Sequence, residues 1–408
     1  MVPKGWMLKQ LSDIVKEKIS YGIVQAGPHI PNGIPYIKSS DIRGAIDPAS
    51  LQRTAPEIHY KYRRSAVHPG DIIFSLRGNI GETAIVPSNL LEANLPQGTA
   101  RISVSGDQCN EFYHQQFAMD KLRNYINSLS KGSTFKEISL EELRKVKVLC
   151  APLPEQKKIA QILSTWDKAI TVTEKLLVNS QQQKKALMQQ LLTGKKRLLD
   201  ENGERFSGEW KRVKLGAIAD MNSGGTPKST VEEYYGGNIP WVSISDMTSN
   251  GKWIATTEKY LTELGLNSSS ARIYPKNSVL YAMYASIGEC SIAAVNLTSS
   301  QAILGIRPKD CLNYEFLYFY LTSLKEKIKL QGQQGTQSNL NAGMVKEFEL
   351  DLPSIREQQK IAAVLSVADA EISTLEKKLA CLRDEKKALM QQLLTGKRRV
   401  KVDEAVAE

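Results

Sequence analysis

Basic, aromatic and amide side chains stand together in a few short stretches of this sequence, as they do in proteins that contact nucleic acid. In the densest stretch, Lys61, Arg63 and Arg64 are interleaved with Tyr60 and Tyr62. Cationic side chains of this kind suit contact with phosphate groups, which position a protein on a duplex. The alternative interpretation of the same residues is a solvated charged loop.

A second stretch can place side chains against the edges of bases. Arg77 and Asn79, in LRGNIG, follow a predicted strand and have glycines beside them. Arginine pairs with guanine and asparagine with adenine in the major groove, so both residue types suit base reading. The corresponding slot in the second half of the chain holds Tyr284, Ala285 and Ser286.

Two further loops complete the candidate interface. The SGGTPK loop occupies 223–228, and a glutamine-rich loop occupies 333–339. Loops rich in glycine, serine and glutamine are often only turns, which is the alternative interpretation for both. The candidate DNA-contacting residues are Lys38, Arg43, Lys61, Arg63, Arg64, Arg77, Asn79, Thr226, Lys228, Tyr284, Ser286, Gln333, Gln337 and Asn339. The aromatic residues expected to lie in the core instead are Trp6, Tyr36, Trp210 and Trp241.

The sequence lacks a recognisable catalytic apparatus. It contains no Gly-x-Gly-x-x-Gly opening a helix, no Walker A motif and no Asn/Asp-Pro-Pro-Tyr/Phe motif of amino-methyltransferases. The Glu-x-Lys pairs that begin at Glu376 and Glu385 lie on a predicted helix, where solvated charges explain them better than a nuclease site. All four histidines fall in the first half, which argues against a duplicated metal or acid–base centre. We therefore expect a non-catalytic chain with no metal or cofactor of its own.

Composition favours an acidic partner. The 408 residues carry a formal net charge of +11, and the sequence pI is near 9.2. This balance favours nucleic acid first and an anionic membrane surface second. No apolar run approaches the length of about 18 residues that spans a membrane, and the N-terminus lacks the apolar core of a signal peptide, so we expect a cytoplasmic protein. The five cysteines have no paired spacing and are expected to be reduced, mostly buried thiols.

Two nearly identical segments must position these loops. Residues 184–197 read KKALMQQLLTGKKR and residues 386–399 read KKALMQQLLTGKRR, so they differ at a single position. EQKKIAQIL at 155–163 and EQQKIAAVL at 357–365 stand at the same offset of 202 residues. The chain is therefore a tandem duplication whose repeated part has no insertion.

The repeated segments have the heptad pattern of long helices that pair through an apolar seam. Gly194 and Gly396 occupy the positions of C-terminal caps, and each is followed by a basic run that suits the helix dipole. A helix of this length extends for roughly 60 Å, and its narrow apolar stripe needs a partner, for which the other copy is the obvious choice. The predicted seam is Ile159, Leu163, Trp166, Ile170, Leu177, Leu187, Leu191, Ile361, Leu365, Ile372, Leu375, Leu379, Leu382, Leu389 and Leu393.

Connectivity favours antiparallel pairing. Only a short charged segment, 195–209, joins the first helix to the next globular region, which ends at Pro353 immediately before the second helix. Parallel helices would require that region to return the chain by the whole helix length of roughly 60 Å. We predict an α+β protein in which two similar globular domains of α/β type are separated by a long antiparallel two-helix coiled coil with pseudo-twofold symmetry. The predicted boundaries are 1–153 and 200–353 for the globular domains, 154–199 and 354–400 for the helices, and 401–408 for a disordered tail.

The two globular regions repeat one plan with different insertions. IGE at 80–82 corresponds to IGE at 287–289, and PY at 35–36 corresponds to PW at 240–241, while the offset drifts from 202 to 207. In the first region a helical pattern extends over 111–129. Diverged reading surfaces on a fixed spacer predict a split, non-palindromic recognition site on DNA.

These motifs closely resemble the specificity subunit of type I restriction-modification systems, over nearly the whole chain. The resemblance rests on LPEQKKIAQIL, the doubled ALMQQLLTG, and GGTPK with IPWVSISDM in the second region. It implies target recognition domains that each read one half of a bipartite, asymmetric DNA site, and helices that set the spacing and bind two modification subunits. Those partners are expected to carry S-adenosylmethionine and methylate adenine, and restriction subunits are expected to add chemistry that depends on ATP and Mg. The second helix begins with LPSIREQQ in place of LPEQ, which leaves its first turn open.

Other classes of function remain open on the residues alone. One is a structural coiled-coil adaptor without specific DNA binding, whose basic charge is incidental. Another is an enzyme with an unrecognised site, such as a specificity–methylase fusion. A third is the specificity subunit of a related methylase or nuclease system.

Overall fold

The computed structural model of the protein describes residues 2–44, 46–132, 136–333 and 340–402, without the side chains of 329–333. The chain divides into two compact units. Unit 1 combines Met1–Glu174 with Lys377–Glu408, and unit 2 is the intervening Lys175–Glu376. Strands and helices occur in each unit, so the predicted α+β class is confirmed. The predicted tail at 401–408 lies outside the described residues from 403 onward.

The strands of unit 1 form an antiparallel sheet and antiparallel ribbons. They are β1 (Met7–Gln10), β2 (Ser20–Tyr21), β3 (Ile34–Tyr36), β4 (Gln52–Thr54), β5 (Ile72–Ser75), β6 (Thr83–Ile85), β7 (Thr99–Ile102) and β8 (Lys147–Cys150). The sheet has the order β2-β7-β5-β6, and the ribbons are β1-β8 and β3-β4. Strand β5 reads IIFS, and all four of its side chains are buried because both faces of the strand are covered.

The helices of unit 1 are short, apart from the one that leads into unit 2. They are α1 (Pro56–Tyr62), α2 (Asn110–Phe117), α3 (Asp120–Ser128), α4 (Leu140–Lys145) and α5 (Leu153–Leu191), with 3-10 turns at Leu11–Asp13 and Arg63–Ser65. The helical pattern over 111–129 is divided between α2 and α3. Met119 has an extended backbone, with ψ near 129°, so the helix cannot continue through it. Phe117 on α2 packs edge-on against Phe74 on β5, with ring centroids 5.4 Å apart.

Unit 2 contains antiparallel strand pairs like those of unit 1, and also parallel ones. Its strands are β9 (Lys211–Lys214), β10 (Ala219–Ser223), β11 (Tyr235–Val242), β12 (Trp253–Ile254), β13 (Lys259–Leu261), β14 (Val279–Ala282), β15 (Cys290–Ala293), β16 (Thr298–Ser299), β17 (Ile303–Pro308) and β18 (Glu349–Leu352). The sheets are β10-β17-β14-β15-β12, β13-β11-β16 and β18-β9. Strand β14 is fully buried and pairs with β15 and β17, as β5 pairs with β6 and β7.

The helices of unit 2 end with a second long one. They are α6 (Leu215–Ile218), α7 (Ile244–Asn250), α8 (Glu263–Asn267), α9 (Tyr314–Gln333), α10 (Ala342–Lys346) and α11 (Ile355–Leu393), with a 3-10 turn at Glu232–Tyr234. Helices α5 and α11 each contain 39 residues, a length of about 60 Å. Gly194 and Gly396 follow their ends with φ of 69° and 66°, the left-handed conformation of a C-terminal cap.

The first part of α5 and the last part of α11 pack together in unit 1. Ile159 and Leu163 share the core cluster of the unit with Leu393. Asp167 and Glu174 on α5 contact Lys386 and Arg383 on α11, with N–O distances of 2.6 and 2.7 Å. Residue numbers fall along α11 as they rise along α5, so the two segments run antiparallel within unit 1.

Unit 2 contains the complementary helix segments in the same arrangement. Leu191 on α5 shares a core cluster with Ile361 and Leu365 on α11. Lys184 pairs with Asp369, the counterparts of Lys386 and Asp167 in unit 1. None of the fifteen predicted seam residues, all within the described ranges, is exposed. The buried ones are Ile159, Leu163, Leu191, Ile361, Leu365, Leu379 and Leu393, and the others are half-buried.

Each unit closes the start of one long helix against the end of the other with an ion pair. In unit 2, Arg197 donates two hydrogen bonds to the carboxylate of Glu357, at 2.6 and 2.8 Å. The indole N–H of Trp210 donates to the same carboxylate at 3.1 Å. Charge-assisted, two-pronged contacts of this kind are among the stronger hydrogen bonds in proteins.

Unit 1 has the same triad, made by Trp6, Glu155 and Arg399. Gln358 has the position in unit 2 that Gln156 has in unit 1. Its Oε1 accepts a hydrogen bond from the N–H of Asn313, and its Nε2 donates one to the carbonyl of Pro353. The first turn of α11 is therefore built like that of α5, although its sequence differs from LPEQ.

Candidate nucleic-acid interface

The loop between β5 and β6 presents Arg77 and Asn79 on a fixed main-chain frame. Ser75 donates through its N–H to the carbonyl of Glu82 at 2.8 Å, and Gly81 donates back to Ser75 at 3.1 Å. The N–H of Glu82 donates to the carbonyl of Asn79 at 3.1 Å. These bonds close the loop, so Arg77 and Asn79 lie at its exposed tip.

The loop between β14 and β15 in unit 2 has the same frame. Ala282 donates to Glu289 at 2.9 Å, Gly288 donates to Ala282 at 3.1 Å, and Glu289 donates to Ser286 at 3.0 Å. Ala285 at the tip has φ of 57°, a left-handed conformation that is unusual for alanine, where unit 1 has Gly78 with φ of 72°. The two hairpin loops therefore share a backbone and differ in the side chains at the tip.

The cations near the hairpin of unit 1 are held only loosely. Arg77 pairs with Glu137 at 2.9 Å, but both side chains are nearly half exposed. Arg43 lies 3.6 Å from Glu82 and is largely exposed. Exposed ion pairs contribute roughly 0–1 kcal/mol, so a phosphate or a base can compete for either guanidinium. Lys38 is half-buried at the start of a turn.

The loop that contains GGTPK is anchored through its backbone in unit 2. The N–H of Gly225 donates to the carbonyl of Ser299 at 2.9 Å, and the carbonyl of Gly225 accepts from the indole of Trp241 at 2.9 Å. The hydroxyl of Tyr235 donates to the carbonyl of Pro227 at 2.8 Å, and burial raises the pKa of that hydroxyl. A Cβ on Gly225 would overlap the main chain at 270–271. Trp241 is buried, as predicted, and also holds this loop.

The anchoring leaves two side chains of the GGTPK loop free. Thr226 and Lys228 are exposed, whereas Pro227 between them is buried. A loop whose backbone is fixed and whose alternate side chains project outward is suited to reading, because little conformational entropy is lost on binding.

Unit 1 has a counterpart of this loop that was not among the sequence candidates. A Cβ on Gly22 would overlap the carbonyl oxygen of Leu95, as one on Gly224 would overlap that of Ser299. The N–H of Ile23 donates to the carbonyl of Leu95 at 2.6 Å, as the N–H of Gly225 donates to the carbonyl of Ser299. Val24 and Gln25 project from the unit 1 loop and are exposed. In the sequence, the only sign of this equivalence is that Gly22 and Gly224 are 202 residues apart, the offset of the repeated helices. The residues that follow the two glycines differ completely.

The basic and aromatic cluster of unit 1 lies on a helix and not on a loop. Lys61 belongs to α1, and Arg63 and Arg64 belong to the 3-10 turn that follows it. All three side chains are exposed, and the ammonium of Lys61 lies 5.6 Å from the ring centre of Tyr62. His59 anchors the helix through a 2.9 Å hydrogen bond to Asn94.

Helix α8 holds the corresponding position in unit 2, after β13, and its end reads NSSSA at 267–271. The cationic cluster therefore belongs to one unit only. Of the candidates in the glutamine-rich loop, Gln337 and Asn339 lie outside the described residues, as does the side chain of Gln333.

Within the described ranges, no group of three or more His, Cys, Asp or Glu residues is placed to hold a metal ion. All five cysteines are free thiols. Cys109, Cys150 and Cys290 are buried, and burial raises the pKa of Cys109 to about 11. The helices that the structure describes include none that is both long and apolar enough to cross a membrane.

Comparison with known families decides the identity of this fold. The family model of the type I restriction modification DNA specificity domain matches residues 3–179 and again residues 207–382. The chain belongs to this family. Each matched segment contains one hairpin loop and one strand-following loop, which is the loop at Gly22 after β2 in unit 1 and the GGTPK loop after β10 in unit 2. Both kinds of loop therefore occur once in each matched segment.

Two curated relatives match the chain along nearly its whole length, and a third matches less than half of it. The putative type I restriction enzyme MjaX specificity subunit of Methanocaldococcus jannaschii is 26% identical over 422 residues, which cover 98% of this chain and 95% of the relative. The MjaVIII specificity subunit of the same organism is 25% identical over 417 residues, covering 98% and 94%. The MjaIX specificity subunit is 36% identical over 172 residues, but the match covers 41% of this chain and only 40% of that relative.

Two solved structures from type I restriction-modification systems have a similar fold. The type I restriction-modification S subunit from M. genitalium matches with a TM-score of 0.63 and 15% identity, covering 96% of this chain and 99% of that chain. A chain from a structure of type I R-M complex assembly matches with a TM-score of 0.56 and 18% identity, covering 97% and 98%. At these identities the likeness concerns the fold alone.

Proposed function

We propose that this chain is the DNA sequence-specificity subunit of a type I restriction-modification complex, and that each unit reads one half of a bipartite, asymmetric site. The observation that carries the proposal is the shared hairpin frame whose tip bears Arg77 and Asn79 in unit 1 but Tyr284 and Ser286 in unit 2. Because the two hairpin loops share a backbone and carry different side chains at the tip, they can approach DNA in the same way and read two different short sequences. Family membership and the net charge of +11 support the same function.

In this proposal α5 and α11 form an antiparallel coiled coil that sets the spacing between the half-sites and docks two adenine-methyltransferase subunits. Restriction subunits join through the methyltransferases. Exposed side chains that are identical in the two helix copies support a partner that binds twice: Gln189 matches Gln391, and Gln190 matches Gln392. The chain itself is non-catalytic, and S-adenosylmethionine, ATP and Mg belong to the partners.

Selection from a randomised duplex pool tests this function. The full chain, assembled with methyltransferase subunits, is expected to enrich two short defined elements separated by a gap of unspecified sequence. Replacing Arg77 and Asn79 by alanine is expected to relax one element, and replacing Tyr284 and Ser286 is expected to relax the other. Gln182→Ala, an exposed change on α5, serves as the control.

The outcomes separate the proposal from its alternatives. Enrichment of no motif, with binding that depends only on salt and duplex length, would favour a coiled-coil adaptor with incidental charge. Methylation of adenine by the isolated chain would instead indicate an enzyme with an unrecognised site. Relaxation of both elements by a change in one hairpin would contradict the assignment of one half-site to each unit.

A further inference from the structure

Gln97 lies between the hairpin loop and the strand-following loop of unit 1, which we call the reading loops of that unit. Its N–H donates to the carbonyl of Ile23, which belongs to the strand-following loop, at 2.9 Å. The carbonyl of the next residue, Gly98, accepts a 2.9 Å hydrogen bond from the N–H of Leu76 at the base of the hairpin loop. A Cβ on Gly98 would lie 3.7 Å from Cδ of Arg77. The main chain thus ties Gln97 to both loops at once.

Gln301 has the same position in unit 2. Ser299, two residues before it, accepts the bond from Gly225 in the GGTPK loop, and Ala302 accepts a 2.9 Å bond from Met283 at the base of the hairpin. The turn itself is the same, because the N–H of Ile303 donates to Ser300 as the N–H of Thr99 donates to Pro96. These bonds align the segment 93–102 with 297–306 at a constant offset of 204 residues.

Only two residues are identical in these aligned segments. One identity is Ile102 with Ile306, and both are fully buried, so packing explains it. The other is Gln97 with Gln301, half-buried and exposed respectively, so packing does not explain it. Among the described residues, neither glutamine amide has a hydrogen-bond partner. Two surface amides that are identical, unengaged and placed alike between the reading loops are therefore free for an external ligand.

We propose that Gln97 and Gln301 are the base-reading residues that the two units have in common, and that each takes the major-groove edge of an adenine in its own half-site. A glutamine amide can accept from the adenine N6 amino group through Oε1 and donate to N7 through Nε2. The side chains at the two hairpin tips, which differ between the units, then read the bases in which the half-sites differ. The two glutamines read an adenine that both half-sites contain. This inference rests on the proposed function and adds the specific contact.

A residue-by-base double-mutant cycle tests the proposal. The wild-type complex first selects its site from the random pool, and each adenine of that site is then replaced singly by 7-deazaadenine, which lacks the N7 acceptor. One replacement in each half-site is expected to weaken wild-type binding by roughly 5-fold, the value of one hydrogen bond. Gln301→Ala is expected to weaken binding by roughly 5- to 150-fold, the range for losing a bidentate base contact. In the Gln301→Ala variant, 7-deazaadenine should no longer weaken binding in one half-site, while its effect in the other half-site persists. Gln97→Ala should give the same result with the half-sites exchanged.

Several results would overturn the proposal. Variants that bind the selected site as tightly as wild type would show that the amides make no contact, and equal losses on selected and random DNA would indicate contact with the backbone instead of a base. A 7-deaza effect that persists in both variants would place the reader elsewhere. Gln182→Ala is the matched control, with the same substitution at an exposed helical site. If the wild-type complex selects no motif at all, the proposed function itself fails, which is a distinct outcome.

Discussion

Single residues determine how each long helix is fixed at its ends. The basic run after α5 suits the helix dipole by sequence, but Arg197 makes a more specific contact with Glu357. The carboxylate of Glu357 is 2% exposed and the guanidinium of Arg197 is 21% exposed. Because a buried charge without its partner is costly, this pair requires both members.

The Glu357→Gln substitution tests this requirement. It leaves an acceptor for the indole of Trp210 but removes the negative charge opposite Arg197. We expect the free energy of unfolding, measured by urea denaturation, to fall by about 3 kcal/mol. Glu376→Gln changes an exposed glutamate of the same helix and should have an effect within about 0.5 kcal/mol. Equal effects of the two substitutions would show that the ion pair does not stabilise the helix start.

At the scale of elements, the register of α5 against α11 depends on polar contacts within an apolar seam. Lys184 interrupts the heptad pattern of α5 and pairs with Asp369 on α11, with both side chains at most one quarter exposed. Polar residues at seam positions select one register, because any shift leaves a partly buried charge unpaired. The pair Lys386–Asp167 has the same effect in unit 1.

Charge exchange across the seam tests the role of these pairs. Lys184→Asp places two carboxylates together and is expected to lower the free energy of unfolding by about 2 kcal/mol. The double change Lys184→Asp and Asp369→Lys should recover most of that loss, because the pair is restored in reverse. The neighbouring exposed change Lys185→Asp is the control. A double variant no more stable than the single ones would mean that the pair does not set the register.

The sequence predicted the elements more completely than the surface they present. Heptad spacing located every seam residue in a buried or half-buried position, yet it passed over Thr173, which is buried between Ile170 and Leu177 and bonds the main chain at Ala169. The hydroxyl of Thr173 is satisfied within the helix, so the residue can be buried. A search for apolar spacing counts threonine as polar and therefore does not assign it to the seam. The strand predicted before Arg77 corresponds to β5, whose apolar run is continuous because both of its faces are buried.

The candidate interface was only partly predictable, because it is assembled from segments far apart in the chain. The loops near Val24 and Gln97 reach the hairpin near Arg77 through main-chain bonds between strands, which sequence spacing does not reveal. Arg77 and Asn79 became candidates because their residue types suit base contact. Gln97 and Gln301, which we propose as base-reading residues, were not candidates, because a lone glutamine has no distinctive spacing and their equivalence follows only from the shared turn.

At the scale of the whole molecule, duplication explains why a single chain contains two related units, each with a surface that we propose reads DNA. The helical copies kept the same length, whereas the offset between the globular copies drifts from 202 to 207 residues. Each mismatched base pair in a protein–DNA site costs roughly 1–3 kcal/mol, so one short half-site alone gives modest discrimination. Two half-sites read by one chain multiply their discrimination, provided that both are engaged together.

The most direct test of this account varies the gap between the two half-sites. Duplexes are made with the selected elements unchanged and the gap lengthened or shortened by one base pair, which displaces one half by roughly 3.4 Å and turns it by about 35°. Affinity is measured for the assembled complex against the natural gap and against random DNA. We predict that either change reduces binding to near the random-DNA level. Undiminished affinity at every gap would contradict the claim that one chain reads two half-sites at a fixed spacing.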